Sequence, residues 1–300
     1  MIRIVSVSLL LAAPLLAAMP VAAQAPAVQA FVASFATPTP RTGKIARWED
    51  GVCPRTTGQQ PAVAAIVNQR VKDLAAFAGA PVNDSPGCAP NIEIVFTASP
   101  QALLDNVREH DPDFLGFAES GRERERLAAV TRPIQAWYTT QTRDLHGLNR
   151  IDSARRPGEG VPMKCFTCGG GRGPVGPTEY LSDATYAHVS GNRVSDGVRS
   201  AFYHILIVAD PGKLQDHGIG PLADYIAMLA LTQVNSPDNC RPLPSIVNML
   251  AKDCTAKTEM LTKNDATYLR GLYKMSADRQ LFSTQKGEIA DSMEAALAGR

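Results

Sequence analysis

Gly220-Pro221-Leu222-Ala223-Asp224-Tyr225-Ile226-Ala227-Met228-Leu229-Ala230-Leu231 is the stretch on which the fold turns. A glycine and a proline open it, and the apolar residues that follow predict a buried helix. The run Ala201 to Ala209 precedes it, almost wholly apolar and so expected as a central strand. Behind it come a cysteine-bracketed loop, Cys240 to Cys254, and a second helix opened by Leu261-Thr262-Lys263-Asn264-Asp265. A terminal helix near Ser283 to Leu297 closes the chain.

Upstream, Pro61 opens another helix, with Val63, Ile66, Val67, Val71, Leu74 and Phe77 recurring at helical spacing until Gly79-Ala80-Pro81 ends it. Lys44 to Thr57 begins as a strand anchored by Ile45 and Trp48, and Asn91 to Thr97 reads as a half-buried strand. Ser99 caps a helix with an apolar stripe of Leu103, Leu104 and Val107. Gly121 to Leu127 interleaves Arg and Glu as a solvated helical face does, and Arg132 to Thr140 is a further strand. Residues 145–178 are rich in Gly, Pro and Arg and predict a long loop, followed by a short strand at Thr185 to Val189. Strands early and helices late predict one mixed α/β or α+β domain over 44–300.

The first 25 residues have the organisation of a signal peptide. Arg3 gives a positive start, Ile4 to Leu16 an apolar core, and Val21-Ala22-Ala23 or Ala23-Gln24-Ala25 a small-residue cleavage site. Pro14 and Pro20 interrupt the apolar run, so a membrane anchor is not expected there. Residues 26–43, rich in Ala, Pro and Thr, read as a flexible lead-in. The expectation is an exported protein, periplasmic or secreted, with no span in the mature chain. Hydrophobic residues make up 45% of its 300 residues, ample for a core, and the net charge of +1 gives no support to a nucleic-acid partner.

Export makes disulfides the default state of the six cysteines, Cys53, Cys88, Cys165, Cys168, Cys240 and Cys254. Sequence alone does not choose among the pairings; local pairing joins Cys53 to Cys88, Cys165 to Cys168 and Cys240 to Cys254. Cys165-Phe166-Thr167-Cys168 also has the spacing of a redox dithiol or half a zinc site. Glycines rather than a helix start follow it, and no second C-x-x-C completes a zinc site, so a structural bridge is the expectation.

The helix from Ala223 is spaced like the H-E-x-x-H-x-x-G-L helix of zincin metallopeptidases. Pro244-Ser245-Ile246-Val247-Asn248-Met249 resembles their Met-turn region, and Leu261 to Tyr273 resembles the helix that follows it. The chain is also similar to a group of exported bacterial proteins of unknown function. The resemblance implies a zincin-like scaffold but not its activity. Its metal-ligand positions fall on Ala223, Ala227 and Gln233, and methyl groups do not coordinate zinc. No cofactor is expected, and a non-catalytic role binding a peptide or cell-envelope component follows.

The alternatives are a hydrolase with a rearranged site and a thiol–disulfide protein using Cys165 and Cys168. For a hydrolase, Asp224, His204 and His217 are the candidate catalytic residues, and His188, His204 and His217 the candidate metal ligands. Asp224 has a structural reading too, as a first-turn carboxylate favoured by the helix dipole. No G-x-S-x-G elbow is present. Ser283-Thr284-Gln285-Lys286 and Ser190-Gly191-Asn192 match two motifs of penicillin-recognising enzymes only in reversed order, without a following K-T-G.

Overall fold

Ala201 to Ala209 sits in the middle of a sheet, as its unbroken apolar run demands: strand β6 (Arg199–Ala209) has strands on both sides. The computed structural model describes residues 21–152, 179–180, 194–234 and 236–299. Within them β1 (Pro54–Thr57), β2 (Ile92–Phe96), β3 (Ile134–Arg143), β4 (Asn149–Ile151), β5 (Glu179–Tyr180) and β6 form a six-stranded sheet in the order β1-β2-β6-β3-β4-β5. β1, β2 and β6 run parallel, β3 is antiparallel to β6 and β4, and β5 is parallel to β4.

Successive strand residues face opposite sides, and two apolar layers result. Ile92, Ile94, Phe202, Ile205 and Ile207 join the larger layer. Helices α1 (Val21–Phe35), α2 (Pro61–Ala78), α5 (Ile219–Leu231), α6 (Lys263–Lys274) and α7 (Phe282–Leu297) cover that side. Val95, Leu206, Val208 and Trp137 join the smaller one, under Leu104 and Val107 of α3 (Pro100–His110) and a 3-10 turn at Pro112–Leu115. The molecule is a single α+β domain with a mixed sheet. Among the described residues no helix is long and apolar enough to cross a membrane.

The expected flexible lead-in over 26–43 is corrected by α1. Val28, Phe31, Val32 and Phe35 fall at i, i+3, i+4 and i+7 and are fully buried, with Phe35 stacked 4.8 Å from Tyr268 of α6. Alanine, read as a sign of flexibility, is the best helix former. Pro26 lies near the helix start and forfeits a single bond there, to residue 22. The segment after α1 is held as firmly: Lys44 is buried, its ammonium donating to Asp196, to Val198 O (2.5 Å) and to Asp278 O (3.4 Å).

α2 has the predicted limits, with Pro61 in its first turn and Gly79 at φ 90° closing it. Its stripe needs correction. Val67, Val71 and Leu74 are buried, but Ile66 is 47% and Phe77 49% exposed. The expected strand from Lys44 narrows to β1, although Ile45 and Trp48 are buried as anticipated. Gly58 follows β1 at φ +78°, and a Cβ there would lie 1.8 Å from Phe96 O, so only glycine fits. The seven-residue α4 (Gly121–Leu127) buries no residue, as its charges imply. Ser99 precedes α3 without a side-chain cap; its own N–H donates to Thr97 Oγ1 (3.1 Å).

Two of the local disulfides form. Cys53–Cys88 pins the entry to β1 against the loop after α2, and Cys240–Cys254 closes the loop between α5 and α6, with Cα–Cα distances of 6.2 and 5.2 Å. Cys165 and Cys168, the strand expected at Thr185 to Val189, and Ser190-Gly191-Asn192 lie outside the described residues.

Candidate functional site

α5 is buried along its length from Leu222 to Leu231, so its backbone ends need internal partners. Aromatic side chains provide them at the C-terminal end. Trp48 Nε1 donates to Ala230 O (2.7 Å), Tyr273 Oη donates to Leu231 O (2.8 Å), and Tyr138 Oη lies 3.1 and 3.2 Å from Leu229 O and Thr232 O. Burial pushes the Tyr138 and Tyr273 phenols well above their ordinary pKa, so both remain protonated donors.

Asp224 projects from the first half of α5 and bridges two other elements. One oxygen accepts from Arg70 of α2, and the other accepts the Leu261 N–H at 2.8 Å. Because α5 begins at Ile219, Asp224 lies beyond the first turn. The expected dipole role is therefore replaced by a direct ion pair and a backbone bond. Nothing in the sequence marks Arg70, one of the polar residues of an amphipathic helix, or the backbone N–H of Leu261 as partners of Asp224.

Beside this bridge lies a cleft of about 770 Å³, walled by α2, the start of α5 and the loop before α6. Ala65, Ile66, Pro221, Ala223 and Met260 give it apolar walls; Gln69, Arg70, Asp73, Asp224 and Glu259 supply the polar groups. Met260 is 68% exposed at its mouth. None of the described lining residues is a Ser, Thr, Cys, His or Lys. Asp224, the sequence candidate for a base, is already committed to Arg70 and Leu261.

The zinc-ligand positions implied by the resemblance do not share a cavity. Ala223 and Ala227 are 1% and 0% exposed. Gln233 lines a separate groove of about 390 Å³ along β3, with Leu115, Gly116, Arg126, Gln135 and Tyr138. The residues present do not fit a zinc ion there, and no step through a metal follows. Immediately beyond, Ser245, Ile246 and Thr262 converge on Asp265. Its carboxylate accepts Ser245 Oγ (2.5 Å), Ile246 N (2.9 Å), Thr262 N (2.9 Å) and Thr262 Oγ1 (2.8 Å), and so ties the turn ending at Met249 to α6.

The histidines are elsewhere. His204 lies on β6 and, two residues from Leu206, faces the smaller apolar layer, away from α5. Its Nε2 is 3.5 Å from Glu93 Oε1, its ring packs edge-on to Phe114 (4.3 Å), and neither ring nitrogen has a hydrogen-bond partner among the described residues. Glu93 is fully buried on β2, a carboxylate the sequence reading passed over, although it interrupts an otherwise apolar strand. His217 is half-buried in the loop before α5, where its N–H donates to Leu214 O (3.1 Å). His188 lies outside the described residues. Among the described residues no three His, Cys, Asp or Glu side chains gather as metal ligands would.

The chain matches no protein-family model, no curated protein and no solved structure.

Proposed function

We propose that this is an exported, disulfide-braced binding protein, periplasmic or secreted, which holds a peptide or cell-envelope component in the cleft between α2 and α5. The observation that carries the reading is the pairing of exposed apolar side chains at the mouth, Ile66 and Met260, with a committed carboxylate at the wall. Asp224 is occupied by Arg70 and Leu261, which leaves it a structural part of the wall. The cleft's volume falls in the range usual for ligand pockets.

The scaffold belongs to the same proposal. A central strand runs into the helix at Ile219–Leu231, and a turn ending in buried Met249 and then α6 follow in the order that the zincin resemblance implies. The alanines at the ligand positions favour binding over hydrolysis. Export is supported by the signal-like first 25 residues and by the two disulfides, which oxidising compartments maintain.

The test is a defined peptide library incubated with wild-type protein and with the Ile66→Ser, Met260→Ser variant, read by affinity and by mass spectrometry of the peptides. Peptides should be retained intact by the wild type, with binding weakened at least about tenfold in the variant. Peptide cleavage that disappears in Asp224→Ala would contradict the reading in favour of a hydrolase.

A further inference from the structure

Charge at the cleft is unbalanced once its internal pair is set aside. Four charged side chains line it, Arg70, Asp73, Asp224 and Glu259, and Arg70 and Asp224 neutralise one another. That leaves two carboxylates. Among the described residues Asp73 receives the neutral Gln69 amide (2.7 Å), and its neighbour Lys72 is directed to Asp84 (3.2 Å). Glu259 is exposed on the loop, next to Met260. The lining of the mouth therefore carries two carboxylates that no lining cation neutralises, with Ile66 and Met260 beside them as apolar contacts. An anionic lipid headgroup or acidic ligand would meet repulsion there.

Spacing narrows the ligand further. Ile66 and Asp73 are seven residues apart on α2, hence on one face and about 10 Å apart along the axis. A peptide in the polyproline II form, with three residues per turn and about 3.1 Å rise per residue, covers that span in about three residues and returns side chains i and i+3 to one side. The flexible thioether of Met260 suits apolar side chains of more than one shape.

We propose that the occupant of this cleft is a basic peptide segment carrying an apolar residue and a Lys or Arg about three positions apart. The apolar side chain lies against Ile66 and Met260, and the cation against Asp73 and Glu259. The inference rests on the reading of the cleft as a binding site and names the class of ligand it takes.

The experiment compares two labelled octapeptides, (Leu-Ser-Ser-Lys)₂ and (Leu-Ser-Ser-Glu)₂, by fluorescence anisotropy at low and physiological ionic strength. The lysine peptide should bind about tenfold more tightly, as expected for a few partly screened surface charge pairs, and the ratio should shrink with salt. In the Asp73→Asn, Glu259→Gln variant the two peptides should bind alike; both positions are exposed, and circular dichroism should show the fold unchanged. Equal binding of the two peptides by the wild type, still lost in Ile66→Ser, would overturn the basic specificity and leave the cleft as the site. Binding of neither peptide, or binding indifferent to Ile66→Ser, would overturn both.

Discussion

Replacing Asp224 by alanine separates a structural carboxylate from a catalytic one. The substitution leaves the Leu261 N–H without its charged acceptor, a loss of about 1.5–3 kcal/mol for a hydrogen bond to an ionised group. It also frees Arg70, whose side chain is 36% exposed, so water recovers most of that interaction and the cost is about 1 kcal/mol or less. Together these give about 3 kcal/mol, or a fall in Tm of roughly 5 °C for a domain of this size. Asp224→Asn keeps an acceptor for Leu261 and loses only the ion pair, so its cost should be about 1 kcal/mol. Thermal unfolding followed by circular dichroism, with the disulfides intact, measures both. An alanine variant as stable as the wild type would refute the reasoning, the more so if a hydrolytic activity vanished with the carboxylate.

Phe31→Ala should cost about 3–5 kcal/mol in a urea titration, since Phe31 is fully buried between α1 and Tyr268; a flexible lead-in would show almost nothing. Asp152 accepts Thr140 Oγ1 (2.6 Å) and Thr142 Oγ1 (2.8 Å) in a buried site, and desolvation raises its carboxyl pKa. A raised folded pKa means that the native state holds the extra proton just above the ordinary carboxylate range, so this group's contribution falls as pH rises through that window. The urea midpoint of Asp152→Asn should therefore gain on that of the wild type as the pH rises from about 4, the ordinary carboxylate range, and a constant gap would exclude the effect. Removing Cys53–Cys88, which closes 35 residues, should cost about 4 kcal/mol, and removing Cys240–Cys254, which closes 14, about 3; paired Cys→Ala variants test the order.

Regular elements were legible where one local rule governed them. Pro61 and Gly79 mark α2 because a missing N–H and a left-handed φ are properties of single residues. β6 announces its central place because a strand buried on both faces has nowhere to put polar side chains. Local pairing gave the Cys53–Cys88 and Cys240–Cys254 bridges. The rest depends on contacts distant in sequence. α1 reads as an alanine- and proline-rich tail until Tyr268 supplies the surface that its phenylalanines cover. Ile66 fits the helical period as well as Val67 does, yet only the placement of α5 and the Met260 loop decides which of them is left in water. Asp224 stood out as a lone carboxylate, but its partners come from residues 70 and 261, and no spacing rule joins those positions.

The most direct test of the central claim is hydrogen exchange on the protein with and without the tightest-binding peptide from the library. Amides of the loop through Glu259 and Met260, few of which bond within regular structure, should slow on binding, together with those of Ala65 and Ile66 on the α2 wall of the cleft. Protection confined to Leu115–Phe117, β3 and Gln233, the walls of the other groove, would place the ligand there instead and contradict the assignment of the α2–α5 cleft.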